Sequence, residues 1–154
     1  MMPARRIGRG HVMHTVLGWF CFLVLSATAG LHVYWGLGGL WPADNAAALS
    51  RTVIGTHSGV MPPAGVTLVV AALIFAAGSF AFARGVLAWD SLILLRVPLA
   101  GLALIFLLRG AVSYMPGPFS RAAEPFAHLN AVYFSPLILA LGVAFAALAL
   151  SPRS

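Results

Sequence analysis

Apolar residues run along this chain in four nearly unbroken stretches, near 12–34, 63–82, 91–108 and 130–150, none with the polar alternation of a half-exposed strand. Each comes close to the roughly 20 residues that cross a hydrocarbon layer about 30 Å thick at ~1.5 Å per residue. Lipid offers an unpaired backbone group nothing to bond, so the stretches are predicted to be helices, and the turn spacing of a barrel is missing. The pattern predicts an all-α fold: a polytopic integral membrane protein, a four-transmembrane-helix bundle forming one domain over residues 1–154.

Punctuation between the stretches supports this register. Pro62 and Pro63 open the second, where a missing N–H costs nothing, and Asp90 is placed to cap the third. Pro98 predicts a bend within the third. The run after Pro136 is too short to cross, so the last helix is expected to begin near Asn130 and to be kinked or restarted at Ser135-Pro136. Gly30, Gly78, Gly101 and Gly142 are expected to let helices approach closely.

Composition narrows the class. A chain that is 61% hydrophobic and 8% charged cannot clothe a soluble surface. Its nine basic residues are all arginines against three acids, a sparse charge that carries topology rather than a nucleic-acid footprint, so no nucleic-acid partner is expected. Arg5, Arg6 and Arg9 precede the first span, Arg84 lies in the short second loop and Arg153 follows the last span, all on one side. Arg51 and Arg121 occupy the two longer loops opposite, which predicts that both termini are cytoplasmic. Arg96 falls near the same cytoplasmic interface, and His11 and His14 are expected among the headgroups there. Cys21 is the single cysteine and lies in an apolar run, so neither an intrachain disulfide nor a cysteine metal site is expected. A competing reading takes Arg5 to Arg9, Val16 to Leu25 and Ala27-Thr28-Ala29 as a cleavable signal peptide. The apolar stretch that continues through Leu31, Val33 and Tyr34 favours a retained span.

Candidate chemistry gathers at the outward ends of the spans. The segment His32-Val-Tyr-Trp-Gly-Leu-Gly-Gly-Leu-Trp-Pro42 sets an imidazole among indoles and glycines. His32, Trp35, Gly36 and Gly39 share a face for as long as the helix lasts, with fraying and a turn expected after Trp35. An interfacial aromatic belt would explain the tryptophans but does not require His32. Arg109 ends an apolar run, where a guanidinium must snorkel or find a partner. Glu124 is the natural protein partner; otherwise a phosphate, carboxylate or quinone oxygen suits a planar cation among Asn130, Tyr133 and neutral donors. His32, His57 and His128 lack any diagnostic metal spacing, and no GxSxG occurs, so neither a metal, a cofactor nor a hydrolytic triad is predicted.

Three blocks carry a likeness: His32-Val-Tyr-Trp-Gly-Leu-Gly-Gly, Phe106-Leu-Leu-Arg-Gly110, and Pro125-Phe-Ala-His-Leu-Asn130 leading to Tyr133-Phe-Ser-Pro-Leu137. In these the chain resembles the bacterial membrane family of domain of unknown function 3995. The resemblance implies four helices in a bacterial inner membrane and brings no activity with it. Where relatives often read Arg-Leu-Asp, this chain has His128-Leu129-Asn130, which removes a carboxylate partner for Arg109. The leading functional expectation is an outer-leaflet pocket, lined by His32, Trp35, Arg109, Asn130 and Tyr133, that holds a small amphiphile such as a membrane lipid or a quinone headgroup. One alternative is an intramembrane enzyme acting on a lipid or isoprenoid with His32 as acid/base. Another is a structural or accessory subunit that assembles as a homo-oligomer or within a larger membrane complex.

Overall fold

The computed structural model describes residues 9–89, 93–117 and 121–151. Their order is α1 (Arg9–Gly36), α2 (Ala46–Val53), α3 (Ala64–Gly85), α4 (Ile93–Val112), α5 (Phe126–Leu129), a π-helical turn (Asn130–Phe134) and α6 (Ser135–Leu150). No strand occurs among the described residues. The segments Gly10–Gly36, Ala64–Gly85, Leu95–Val112 and Phe126–Leu150 are long and apolar enough to cross a membrane, so the four helices predicted from the apolar runs are present. The proposed Asp90 cap and the topological arginines Arg5, Arg6 and Arg153 lie outside the described residues.

The first long helix ends at Gly36, one residue past Trp35, and turns there as expected, but by a defined closure rather than by fraying. Gly38 has a φ of +93°, its N–H bonds the Trp35 carbonyl at 3.0 Å, and the Gly39 N–H reaches back to Tyr34 at 2.9 Å. This paired 6→1 and 5→2 closure needs a left-handed residue after the helix end, and glycine adopts that conformation without a Cβ penalty.

The bundle is built from two antiparallel pairs, α1 with α3 and α4 with α6. Along α1 the buried positions His14, Gly18, Cys21, Leu25 and Ala29 recur every three or four residues and face α3. A Cβ on Gly85 would lie 2.5 Å from the His14 carbonyl oxygen and 2.7 Å from Gly18 Cα, so the two backbones nearly touch there. In the second pair Gly110 admits Leu139 and Gly142 admits Leu107, a reciprocal arrangement that locks register. Gly78 does serve the close packing predicted for it, with Leu25 Cβ 3.2 Å from its would-be Cβ. Gly30 and Gly101 do not: nothing lies within 4 Å of a Cβ at either, because both fall on outward faces. A cluster including Cys21, Leu25, Ala81, Leu99, Leu141 and Phe145 draws on all four long helices and joins the pairs.

Two expectations at the end where α1 begins are corrected. His14 is not among exposed groups but buried, because it starts the stripe that packs on α3, whereas His11 is exposed. Arg84 is not a loop residue: it occupies the last turn of α3, is 1% exposed, and donates from Nη2 to the Ser151 carbonyl at 3.3 Å.

The last helical run begins at Phe126, earlier than Asn130, and is continuous through Pro136 because the backbone widens before it. The Ser135 N–H bonds the Asn130 carbonyl, an i→i+5 closure. In that register the Ala131 carbonyl would look to residue 136, and proline has no N–H to offer. Tyr114 fills the gap, its hydroxyl donating to the Ala131 oxygen at 2.9 Å. Pro98 likewise sits inside α4, which runs through it without interruption.

Candidate functional site

His32 continues the inward stripe of α1 one turn beyond Ala29 and is half-buried. Its Nδ1 lies 2.8 Å from the Thr28 carbonyl oxygen one turn back. A carbonyl can only accept, so Nδ1 carries a proton, and in that single-proton tautomer Nε2 holds the lone pair. Trp35 leans against the imidazole, with ring centroids 5.3 Å apart and planes inclined by 59°. The indole Nε1 donates to the Trp41 carbonyl at 2.7 Å, which ties the chain beyond the glycine turn back over the helix end.

Beside these two rings lies a recess of about 140 Å³. Its remaining walls are Val53 and Ile54 at the end of α2, Met61 and Pro62 in the following loop, and Val66, Thr67 and Val70 on α3. Sequence explains why the loop makes a wall at all. Asn45 caps α2, its side-chain oxygen accepting the Ala48 N–H at 2.8 Å. The buried Ser50 hydroxyl donates to the Val60 carbonyl at 3.0 Å and therefore accepts from Thr56, 2.6 Å away, so one side chain cross-links the loop. Gly55, at φ +82°, turns the chain so that its carbonyl accepts the Ala123 N–H at 2.9 Å. His57 Nε2 donates to the Arg121 carbonyl at 2.9 Å, so the two loops at this end of the bundle are docked.

Arg109 stands in the last full turn of α4. Its guanidinium donates to the Ser113 hydroxyl and, at 3.0 Å, to Asn130 Oδ1. The Ser113 hydroxyl donates to the Arg109 carbonyl at 3.0 Å, while Ser135 donates to the same Asn130 oxygen at 3.3 Å. Buried Asn130 is thus the acceptor at the centre of a four-residue network, tying α4 to the π turn. Glu124, the expected partner of Arg109, accepts the His128 backbone N–H at 3.3 Å.

The five sequence-predicted site residues therefore fall in separate places. His32 and Trp35 line the recess; Arg109 and Asn130 bond each other and are not among its walls; Tyr133 is 61% exposed on the π turn. The widened turn rotates Tyr133 off the face that Asn130 occupies. Among the described residues no three His, Cys, Asp or Glu side chains are grouped to hold a metal ion. Sequence reasoning missed Thr28 and Ser113 as partners, and Thr67 and α2 as walls. The first two were signalled by i, i+4 spacing to His32 and Arg109, and α2 by Asn45 ahead of an alanine run.

A family model described as a protein of unknown function, DUF3995, matches residues 12–145. No curated protein and no solved structure matches the chain.

Proposed function

We propose that this chain, which belongs to the DUF3995 family, spans a bacterial inner membrane four times and holds a small amphiphile in the recess between α1, α2 and α3. Four helices of sufficient length and apolarity support the membrane assignment, as do the large apolar side chains turned outward along them, among them Leu73, Phe75, Val97, Ile105 and Val143. The arginine distribution supports cytoplasmic termini and, with them, a recess in the outer leaflet.

The observation that carries the reading is the recess itself: an apolar hollow at a helix end with one titratable group, His32, in its wall. Its volume is comparable with the roughly 150 Å³ that admits a benzene ring, so it suits a ring or chain segment rather than a whole lipid. Arg109 with Asn130 lies outside this site and fixes the fourth helical run to α4. Val70→Trp fills the recess from α3. Lipid extraction and mass spectrometry of purified wild type and Val70→Trp should show an amphiphile that the variant has lost; identical contents would remove the basis for the site.

A further inference from the structure

The side-chain donors lining the recess are all committed elsewhere. His32 Nδ1–H donates to the Thr28 carbonyl, Trp35 Nε1–H to the Trp41 carbonyl, and the Thr67 hydroxyl to the Pro63 carbonyl at 3.3 Å. What these groups still offer is lone pairs: Nε2 of His32, on the ring edge opposite the bonded Nδ1, and the oxygen of Thr67. The other walls are apolar side chains, and no charged one is among them.

We infer that the recess selects an uncharged amphiphile by a hydroxyl group that donates to His32 Nε2. This rests on the reading that the recess binds an amphiphile, and it narrows the chemistry. A phosphate or carboxylate brings charge and lone pairs to walls whose side chains supply only lone pairs, and an ester or quinone carbonyl meets the same mismatch there. Such a ligand would lose its water bonds and gain none, whereas a hydroxyl regains one. Two sources share the favoured chemistry, the reduced, dihydroxy form of a quinone and a neutral lipid alcohol such as a diacylglycerol. The tautomer enforced by Thr28 makes the selection, because a carbonyl acceptor one turn back removes the choice of which nitrogen is protonated.

The test is calorimetric titration of the full chain in nanodiscs with two matched pairs: a short-tail benzoquinol, kept reduced, against its benzoquinone, and dioctanoylglycerol against its methyl ether. At least one hydroxyl probe should bind about ten-fold or more tightly than its counterpart. The tighter pair identifies the source. His32→Phe, which keeps a ring but no acceptor, should bring that ratio near one; His32→Gln, whose amide supplies donor and acceptor, should let the carbonyl probe bind. Equal binding within both pairs, or an unchanged ratio in His32→Phe, overturns the inference. If Val70→Trp still strips a co-purified amphiphile in that case, the recess reading survives and only its chemistry is wrong. If Val70→Trp also changes nothing, both fall.

Discussion

Asn130 Oδ1 accepts the Arg109 guanidinium at 3.0 Å from the first residue of the π turn, so an amide oxygen meets this cation there. The same oxygen accepts Ser135, which makes it the joint between α4 and the start of α6. Asn130→Leu removes the acceptor and leaves two donors facing an apolar group. Stability in detergent should fall by about 1–2 kcal/mol. Asn130→Asp keeps the acceptor, adds a charge-assisted bond, and should equal or exceed wild type. Thermal unfolding of the three proteins checks this; a Leu variant as stable as wild type would mean that the joint carries no energy.

The helices were legible because a run of apolar residues of that length has one solution in lipid, and their ends were legible to a few residues from Pro62-Pro63 and Gly38-Gly39. The site was legible in part. His32 and Arg109 stand out because an apolar span has no need of either, yet depth along a helix says nothing about azimuth. His32 lies on the stripe that begins at His14 and meets α3, whereas Arg109 meets the π turn; only the packing of pairs decides that. The π turn was illegible for a related reason. Pro136 announces a missing N–H, but whether the helix bends, breaks or widens depends on a partner for the orphaned carbonyl, and Tyr114 arrives from another element.

That relation is itself testable. Tyr114→Phe leaves the Ala131 carbonyl without its hydroxyl donor and should cost about 1 kcal/mol. Pro136→Ala supplies a backbone N–H within reach of the same oxygen. In the double variant the loss of the Tyr114 hydroxyl should therefore matter less, giving a coupling of about 0.5–1 kcal/mol in a double-mutant cycle. Strict additivity would show that the two groups do not compete for one carbonyl.

The glycines divide sharply by what surrounds them. Gly85→Ala sets a Cβ against the His14 carbonyl and Gly18 Cα, backbone atoms that cannot rotate away, so α1 and α3 must separate. A loss of about 1–3 kcal/mol is expected. Gly30→Ala and Gly101→Ala meet open space within a helix and should be neutral or stabilising by up to about 1 kcal/mol. Unfolding midpoints of the three variants check the contrast, and an equally destabilised Gly101→Ala would deny the packing scheme.

Orientation can be read with cysteine chemistry because the native thiol is hidden: Cys21 is fully buried in the α1 stripe, so the wild-type chain should give little background. Ser58 lies exposed in the loop before α3, and Leu87 lies exposed in the turn after it, on opposite ends of that helix. A membrane-impermeant maleimide added to intact spheroplasts should label Ser58→Cys at once and Leu87→Cys only after lysis. The reverse order would invert the topology and put His32 in the inner leaflet. A hydroxyl-bearing amphiphile would then have to enter the recess from the cytoplasmic side.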